Sequence, residues 1–170
     1  MCKRLIWILY KTIANRLPNS EEMYGQACKR FRAFLAKKII KHCGNNVNIE
    51  PNTYFNAELE IGDNSGIGMY SEMHGTIKIG DNVMMGHYCL FYSRNHAHSR
   101  TDIPMIKQGF EEVRPVIIGS DVWIGSRVTI LPGVHIGDGC ILAAGSVITK
   151  DAPPNTIIAG NPAKVVKQRS

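Results

Sequence analysis

The 170-residue sequence predicts an all-β fold, a coil of six-residue repeats with a helical N-terminal segment and one long loop. The main observation is an apolar residue at every sixth position, first from Ile49 to Phe91 and again from Ile118 to Ile148. An α-helix repeats every 3.6 residues and a β-strand every two, so neither produces this period alone. A triangular coil does, because each flat side takes one hexapeptide and each corner turns on Gly, Asn or Asp.

Two period-six series are expected to face the interior of this coil. The apolar series comprises Ile49, Phe55, Ile61, Ile67, Met73, Ile79, Met85, Phe91, Ile118, Ile124, Ile130, Ile136, Leu142 and Ile148. The second series consists of small or β-branched residues: Val122, Val128, Val134, Cys140 and Ser146. Each residue would stack on its equivalent in the next coil, which buries both series.

The repeat is interrupted once. Between Phe91 and Ile118 the spacing is 27 residues, which is not a multiple of six, so a loop must leave the coil over about residues 92–114. This loop is polar and carries His96 and His98. Loops of this length inside a compact repeat usually carry function, so both histidines are candidates for chemistry.

The N-terminal segment is predicted to contain two helices. Residues 3–17 place apolar side chains at helical spacing, and Pro18 ends that element. Asn19 and Glu22 form a capping-box pattern, which predicts a second helix that runs to about Cys43.

The chain is therefore predicted to divide into helices over residues 1–45, the coil over 46–160 and a C-terminal tail over 161–170. The second helix would expose one basic face: Lys29, Arg30, Arg32, Lys37, Lys38 and Lys41. Such a helix either packs on the coil or a neighbouring subunit, or lies on an anionic membrane as a peripheral contact. The sequence leaves both alternatives open.

Composition limits the class of protein. The 44% apolar content is typical of a globular domain, and the net charge of +6 suits an anionic cofactor, a membrane surface or nucleic acid. The five cysteines show no CxxC spacing, which favours a reducing, cytoplasmic setting. The apolar run over residues 5–10 is too short for a signal sequence or a membrane span. We expect a cytoplasmic protein, located at the inner membrane surface if its helices contact lipid.

Most of the chain resembles the hexapeptide-repeat acyltransferases. The motifs VWIG, PGVxIG, AGSVxTKDxPP and AGNPAK occur in that order, and the resemblance extends over roughly residues 46–167. It is closest to the maltose, galactoside and polysaccharide O-acetyltransferase branch. The resemblance implies a left-handed parallel β-helix, a homotrimer with an active site in each groove between subunits, and acetyl-CoA lying along the coils.

The resemblance also implies a catalytic histidine. Acetyl transfer to a hydroxyl needs a general base and donors for the oxyanion, and histidine titrates near neutral pH. His96 falls on the family's catalytic histidine, with His98 as the alternative. Cys89 and Cys140 are expected to face the interior, which favours direct transfer over a cysteine acyl-enzyme.

Three residues of the coil are implied to bind the acyl arm of acetyl-CoA. Trp123 would form a wall of the pantetheine channel. Ser126 would lie near the thioester carbonyl, with its hydroxyl or backbone amide as an oxyanion donor. Ala144 would stay small, so that the pantetheine arm can lie against the backbone.

Four residues further along are implied to bind the nucleotide of CoA. Thr149 and Lys150 would lie near the adenine end. Lys164 and Lys167 stand where arginines are typical of the family. An ammonium group still meets a phosphate as a point charge, although it lacks the fork of arginine.

Five residues are expected to contact the acceptor: Glu72, His74, His87, His98 and Asp102. The chain departs from the sugar acetyltransferases in two places that bear on the acceptor. Its N-terminal segment differs, and the acceptor-contacting Asn of the middle coils has no match in residues 68–74.

The leading prediction is an O-acetyltransferase that acts on a sugar, a polysaccharide or a lipid-linked sugar. One alternative is a xenobiotic O-acetyltransferase of the streptogramin or chloramphenicol type. Two alternatives belong to other classes: a zinc hydratase like the γ-carbonic anhydrases, and a coil used only for assembly. The CoA-type tail argues against both, so we expect no catalytic metal and no nucleic-acid partner.

Overall fold

The computed structural model describes residues 2–169 and contains sixteen strands and two α-helices within that range. The helices are α1 (Lys3–Thr12) and α2 (Gly25–Ala36), with a 3₁₀ turn at Ala14–Arg16 between them. The strands are β1 (His42–Cys43), β2 (Asn48–Ile49), β3 (Glu60–Ile61), β4 (Gly66–Ile67), β5 (Glu72–His74), β6 (Ile77–Ile79), β7 (Met84–Met85), β8 (Leu90–Tyr92), β9 (Val116–Ile118), β10 (Trp123–Ile124), β11 (Thr129–Ile130), β12 (His135–Ile136), β13 (Ile141–Leu142), β14 (Val147–Ile148), β15 (Thr156–Gly160) and β16 (Ala163–Gln168).

The strands form the three sides of a parallel coil. The first side has the order β1-β3-β6-β9-β12, and the third side has the order β5-β8-β11-β14. The second side contains β2 paired with β4, and β7-β10-β13-β15. The Gly66 amide joins its two parts by donating to the Val83 carbonyl oxygen over 2.9 Å. The segment predicted as a C-terminal tail is instead β16, which closes the second side by antiparallel pairing with β15.

Both predicted interior series are buried, with Met85 half-buried. Fully burying one such side chain contributes about 1.5–3 kcal/mol, so the stacked rows are the main source of stability. Corners between the first and second sides turn on a left-handed residue, as at Asn46, Asn64 and Asn82. Their amides form a ladder, since Asn46 Nδ2 donates to Asn64 Oδ1 over 3.0 Å. The predicted β-helix is confirmed.

The predicted excursion loop is also confirmed, and it lies between β8 and β9. Its two halves run antiparallel, because the Ala97 amide donates to the Gly109 carbonyl oxygen and the Glu111 amide to that of Asn95. A short 3₁₀ turn, Met105–Lys107, lies near its tip. The loop is thus ordered by its own backbone bonds and can hold a side chain in place.

The prediction for the second helix was wrong at both ends. Asn19 and Glu22 do bond through their side chains, but they close a turn rather than open a helix. Tyr24 then adopts φ +62°, and α2 begins only after it. The helix ends at Ala36, and β1 is already part of the coil's first side before residue 46. Within residues 2–169, no helix is long and apolar enough to cross a membrane.

Arg32 was predicted on the exposed basic face, and the structure shows that this was wrong. Its side chain is fully buried between α2 and the first coil. Its Nε donates to the Ile49 carbonyl oxygen over 2.6 Å, Nη1 to that of Pro18 over 2.8 Å, and Nη2 to Glu50 Oε2 over 3.2 Å. The arginine therefore fixes α2 on β2, together with the buried Leu35.

Candidate active site

A cleft of about 620 Å³ opens where the third side of the coil turns into the first, beneath the excursion loop. We call it the loop cleft. Its lining includes the aromatic rings of Tyr54, Tyr92 and Phe110 and the imidazoles of His74 and His96. The structure thus brings together two of the histidines that the sequence singled out, one from the coil and one from the loop.

His96 lies in the antiparallel part of the loop, opposite Phe110. Its imidazole stacks on the Phe110 ring at 4.3 Å between centroids, and the Arg94 guanidinium lies 4.0 Å from the centroid of the same ring. The His96 side chain is exposed to the cleft and to solvent. Stacking therefore fixes the plane of the imidazole while its edge stays accessible to a ligand.

His74 is held differently. Its Nε2 lies 2.6 Å from Glu72 Oε2, and an ionised carboxylate only accepts, so Nε2 donates. The ring lies between Tyr54, at 4.9 Å, and Tyr92, at 5.2 Å and almost parallel. His74 is directly opposite Tyr92 in the pairing of β5 with β8. The Glu72–His74 pair is thus a fixed polar element in an aromatic wall.

Of the predicted acceptor residues, His74 lines the loop cleft, whereas Glu72 is bonded to His74 without lining it and the other three lie outside it. His98 Nδ1 lies 3.6 Å from Glu111 Oε1 on the exposed part of the loop. Asp102 is paired with Arg100, and the hydrogen bond from this guanidinium lowers the pKa of the Asp102 carboxyl. His87 lies at a different corner. In the part of the chain that the structure describes, no cluster of three His, Cys, Asp or Glu side chains could hold a metal ion.

A second cleft, of about 420 Å³, lies where the second side turns into the third. We call it the coil groove, and its lining includes His87, Ser126, Ala144 and Gly145. The His87 amide donates to Ser126 Oγ over 3.2 Å, and His87 Nδ1 accepts the Met69 amide over 3.0 Å. Ala144 is exposed, and a Cβ added at Gly145 would meet no atom within 4 Å. The groove is therefore open and shallow enough for a narrow, extended ligand.

The rim of the coil groove carries a stack of bulky residues in an unusual conformation. Tyr70 and Tyr88 stack at 5.0 Å with an interplanar angle of 7°, and the Arg127 guanidinium lies 5.7 Å from the Tyr88 centroid. All three have positive φ, at +58°, +60° and +61°. Bulky residues rarely adopt this conformation, and such strain tends to occur at functional sites.

The predicted nucleotide-binding residues are only partly brought together. Lys150 and Lys164 line one cleft of about 230 Å³ at the end of the coil. Thr149 and Lys167 are exposed but do not line that cleft. Trp123, predicted to form a wall of the pantetheine channel, is 53% exposed on β10 and is not among the residues that line the coil groove. The ammonium groups of Lys150 and Lys164 suit a phosphate-bearing ligand.

Sequence reasoning missed Tyr54, Tyr92 and Phe110. The stack of Tyr92 on His74 had a signal, because the two residues are 18 positions apart and the coil returns to the same side after three hexapeptides. Phe110 had none, since the loop has no repeat that could show which residue faces His96.

An accessible imidazole in one cleft and a second cleft that is shallow and open along the coil are features that an acyltransferase needs. Comparison with known proteins agrees. Residues 115–150 match the bacterial transferase hexapeptide (six repeats) family. The chain is 37% identical over 143 residues to the galactoside O-acetyltransferase of Escherichia coli K12, covering 81% of this chain and 68% of that protein.

Solved structures show the same relationship. A maltose O-acetyltransferase from Clostridium difficile superposes with a TM-score of 0.80 at 30% identity, covering 99% of this chain and 86% of that one. A hexapeptide-repeat acetyltransferase from Vibrio cholerae, in complex with acetyl coenzyme A, superposes with a TM-score of 0.81 at 27% identity, covering 99% and 87%. The chain belongs to the hexapeptide-repeat acetyltransferases. It is an O-acetyltransferase that uses acetyl-CoA as its cosubstrate.

Proposed function

We propose that this enzyme transfers the acetyl group to a hydroxyl of a sugar, either free or within a polysaccharide or lipid-linked saccharide. The observation that carries the proposal is the loop cleft, where an accessible imidazole lies beside aromatic rings and the Glu58 carboxylate. The relatives named for galactoside and maltose act on sugars, which supports the same class of acceptor here.

The lining of the loop cleft favours a sugar over an apolar drug. Aromatic rings such as Tyr54 and Tyr92 pack against the C–H face of a pyranose ring. The carboxylate of Glu58, which lines the cleft, accepts hydrogen bonds from hydroxyl groups. An apolar antibiotic would leave this carboxylate desolvated and unpaired, at a cost in free energy.

His96 is the proposed general base. Its imidazole edge is accessible, whereas the Nε2 atom of His74 is engaged with Glu72. The imidazole takes the hydroxyl proton while the acceptor oxygen attacks the thioester carbonyl carbon. The tetrahedral intermediate then collapses, the C–S bond breaks, and the proton passes to the departing thiolate. Nothing is oxidised or reduced, and the products are the acetyl ester and free CoA.

Ser126 is the proposed oxyanion donor. Its Oγ already accepts the amide hydrogen of His87, which leaves its own hydroxyl hydrogen available for another acceptor. A hydroxyl held in this way at the floor of the coil groove can stabilise the negative oxygen of the intermediate. The exposed, small Ala144 beside it would give the pantetheine arm access to the backbone.

We further propose a homotrimer with shared active sites. In one chain the loop cleft and the coil groove lie at different corners, separated by the whole third side of the coil. A side of one hexapeptide spans roughly 15–20 Å, which is too far for direct transfer. Threefold assembly can place the loop cleft of one subunit against the coil groove of its neighbour.

The test is a thiol-release assay with acetyl-CoA and a panel of sugars, nucleotide sugars and antibiotics. His96→Ala should reduce the transfer rate by roughly 10²–10⁴ while acetyl-CoA binding persists. His98→Ala is the matched control, since it removes an exposed imidazole from the same loop outside the cleft. Loss of activity only in His98→Ala would refute the assignment of the base. Turnover of antibiotics but of no sugar would refute the acceptor.

A further inference from the structure

The basic charge of this chain is concentrated at its N-terminal end. The first 41 residues hold ten of the 20 lysines and arginines but only two of the 14 acidic residues. The remaining 129 residues hold ten basic and twelve acidic residues, so the coil itself is slightly acidic. A segregation of charge this strong indicates an anionic partner for the N-terminal end.

The helix α1 combines this charge with exposed aliphatic side chains. Its inner face buries Ile6 and Tyr10 against the coil. Leu5 and Ile8 lie one turn apart on another face and are 56% and 51% exposed, and Ile13, which is 51% exposed, follows the C-terminal end of the helix directly. We call these three residues the outer stripe. Four basic residues of the segment are also exposed: Lys3, Arg4, Lys11 and Arg16. The segment from residue 2 to residue 20 contains no acidic residue.

We propose that the outer stripe docks this enzyme on an anionic lipid bilayer. A short helix with aliphatic side chains on one face and lysines and arginines around it lies in the membrane interface, with its apolar face among the acyl chains. Anionic headgroups contribute attraction for each basic residue near the surface. The positive charge and the exposed aliphatic side chains therefore both favour an anionic bilayer as the partner.

Two other occupants fit this surface less well. A second copy related by a twofold axis would bring two sets of four positive charges together without a carboxylate on α1 between them. A nucleic acid would bind to the basic groups, but single strands are held by stacking on aromatic rings and the outer stripe has none. Of these three occupants, a bilayer uses both the positive charges and the exposed leucine and isoleucines.

The position of α1 connects this surface to the loop cleft. The Lys11 amine lies 5.0 Å from the Trp7 centroid and 5.8 Å from that of Tyr54, and Tyr54 lines the loop cleft. An enzyme docked through α1 would hold the cleft close to the headgroups, where a lipid-linked saccharide presents its sugar. This last consequence rests on the proposed sugar acceptor, whereas the docking itself does not.

The test uses the full chain and two kinds of vesicle, phosphatidylcholine alone and phosphatidylcholine mixed with phosphatidylglycerol. The enzyme should sediment with the mixed vesicles only, and less so as salt is raised. The triple variant Leu5→Ser, Ile8→Ser, Ile13→Ser should weaken this binding by at least about tenfold. The matched control is Ile106→Ser with Val166→Ser, which removes exposed aliphatic residues elsewhere and should bind like the wild type.

Light scattering and acetyl transfer to a soluble acceptor complete the test. Both should be unchanged in the triple variant, because the outer stripe takes no part in the chemistry. Failure of the wild type to bind the mixed vesicles, or equal binding by the triple variant, would overturn the proposal. A changed oligomeric state in the triple variant would also overturn it, since the stripe would then be a contact between subunits.

Discussion

Replacing Ala144 by leucine separates binding of the cosubstrate from stability of the coil. Ala144 is exposed in the coil groove, midway between the buried residues Leu142 and Ser146 and two positions from each. A leucine side chain there points to solvent, so it opens no cavity and compresses no neighbour. The free energy of unfolding should therefore change by less than about 0.5 kcal/mol.

The same substitution should weaken CoA binding strongly. A leucine at Ala144 fills the floor of the groove and keeps the pantetheine arm from the backbone. Losing one or two amide hydrogen bonds, at about 1 kcal/mol each, together with the lost contact weakens the affinity by roughly 10- to 100-fold.

The assay is calorimetric titration with CoA, paired with a thermal melt of the same variant. Ala27→Leu, at an exposed position of α2, controls for an added surface leucine and should bind CoA normally. Unchanged affinity in Ala144→Leu would place CoA elsewhere on the coil. A large fall in its melting temperature would show that the side chain points inward.

Three further predictions concern stability and the nucleotide. Arg32→Met should lower the free energy of unfolding, measured by urea titration, by about 3–5 kcal/mol, because Glu50 is left as a buried charge without its cation. A loss below about 1 kcal/mol would contradict this. Burial raises the pKa of Tyr10 above its ordinary value of 10.0, so its contribution to stability should fall as pH rises above 10, where this tyrosine ionises only in the unfolded chain. Tyr10→Phe should make the fall in stability smaller in urea titrations on either side of pH 10, and an unchanged fall would contradict this. Lys150→Gln with Lys164→Gln should weaken CoA binding by about tenfold and make it less sensitive to salt, whereas an unchanged dissociation constant would exclude this cleft as the phosphate site.

The period of six was sufficient to predict the interior of the coil because burial acts on every sixth side chain directly. The same argument could not place Arg32. Helical spacing put it among lysines, but its partner Glu50 lies 18 residues further on and becomes a neighbour only when α2 packs on β2. Boundaries failed for a related reason, since the Asn19–Glu22 pattern stabilises a turn as readily as a helix start.

In the candidate site, too, some features could be predicted from the sequence and others could not. His96 could be chosen from its loop and from the family resemblance, and Ala144 from its place outside the buried rows. The contact of His96 with Phe110 could not be predicted, because the loop has no sequence repeat that would show how its two halves pair with each other. The register of the coil determines which residues share a corner. It was therefore needed to place His87 and His74 at different corners.

The central claim is that each active site combines the loop cleft of one subunit with the coil groove of the next. It is tested most directly by mixing two impaired variants, His96→Ala and Ala144→Leu, after unfolding them together and refolding, and by assaying at an acetyl-CoA concentration too low to saturate Ala144→Leu. With random assembly, each site draws its cleft and its groove from different chains, so roughly a quarter of the sites should contain two intact halves. The account predicts that the mixture regains about that fraction of the wild-type transfer rate, well above the rate of either variant alone. A mixture that refolds to trimers and is no more active than the two variants assayed separately would contradict it, because both halves would then belong to the same chain.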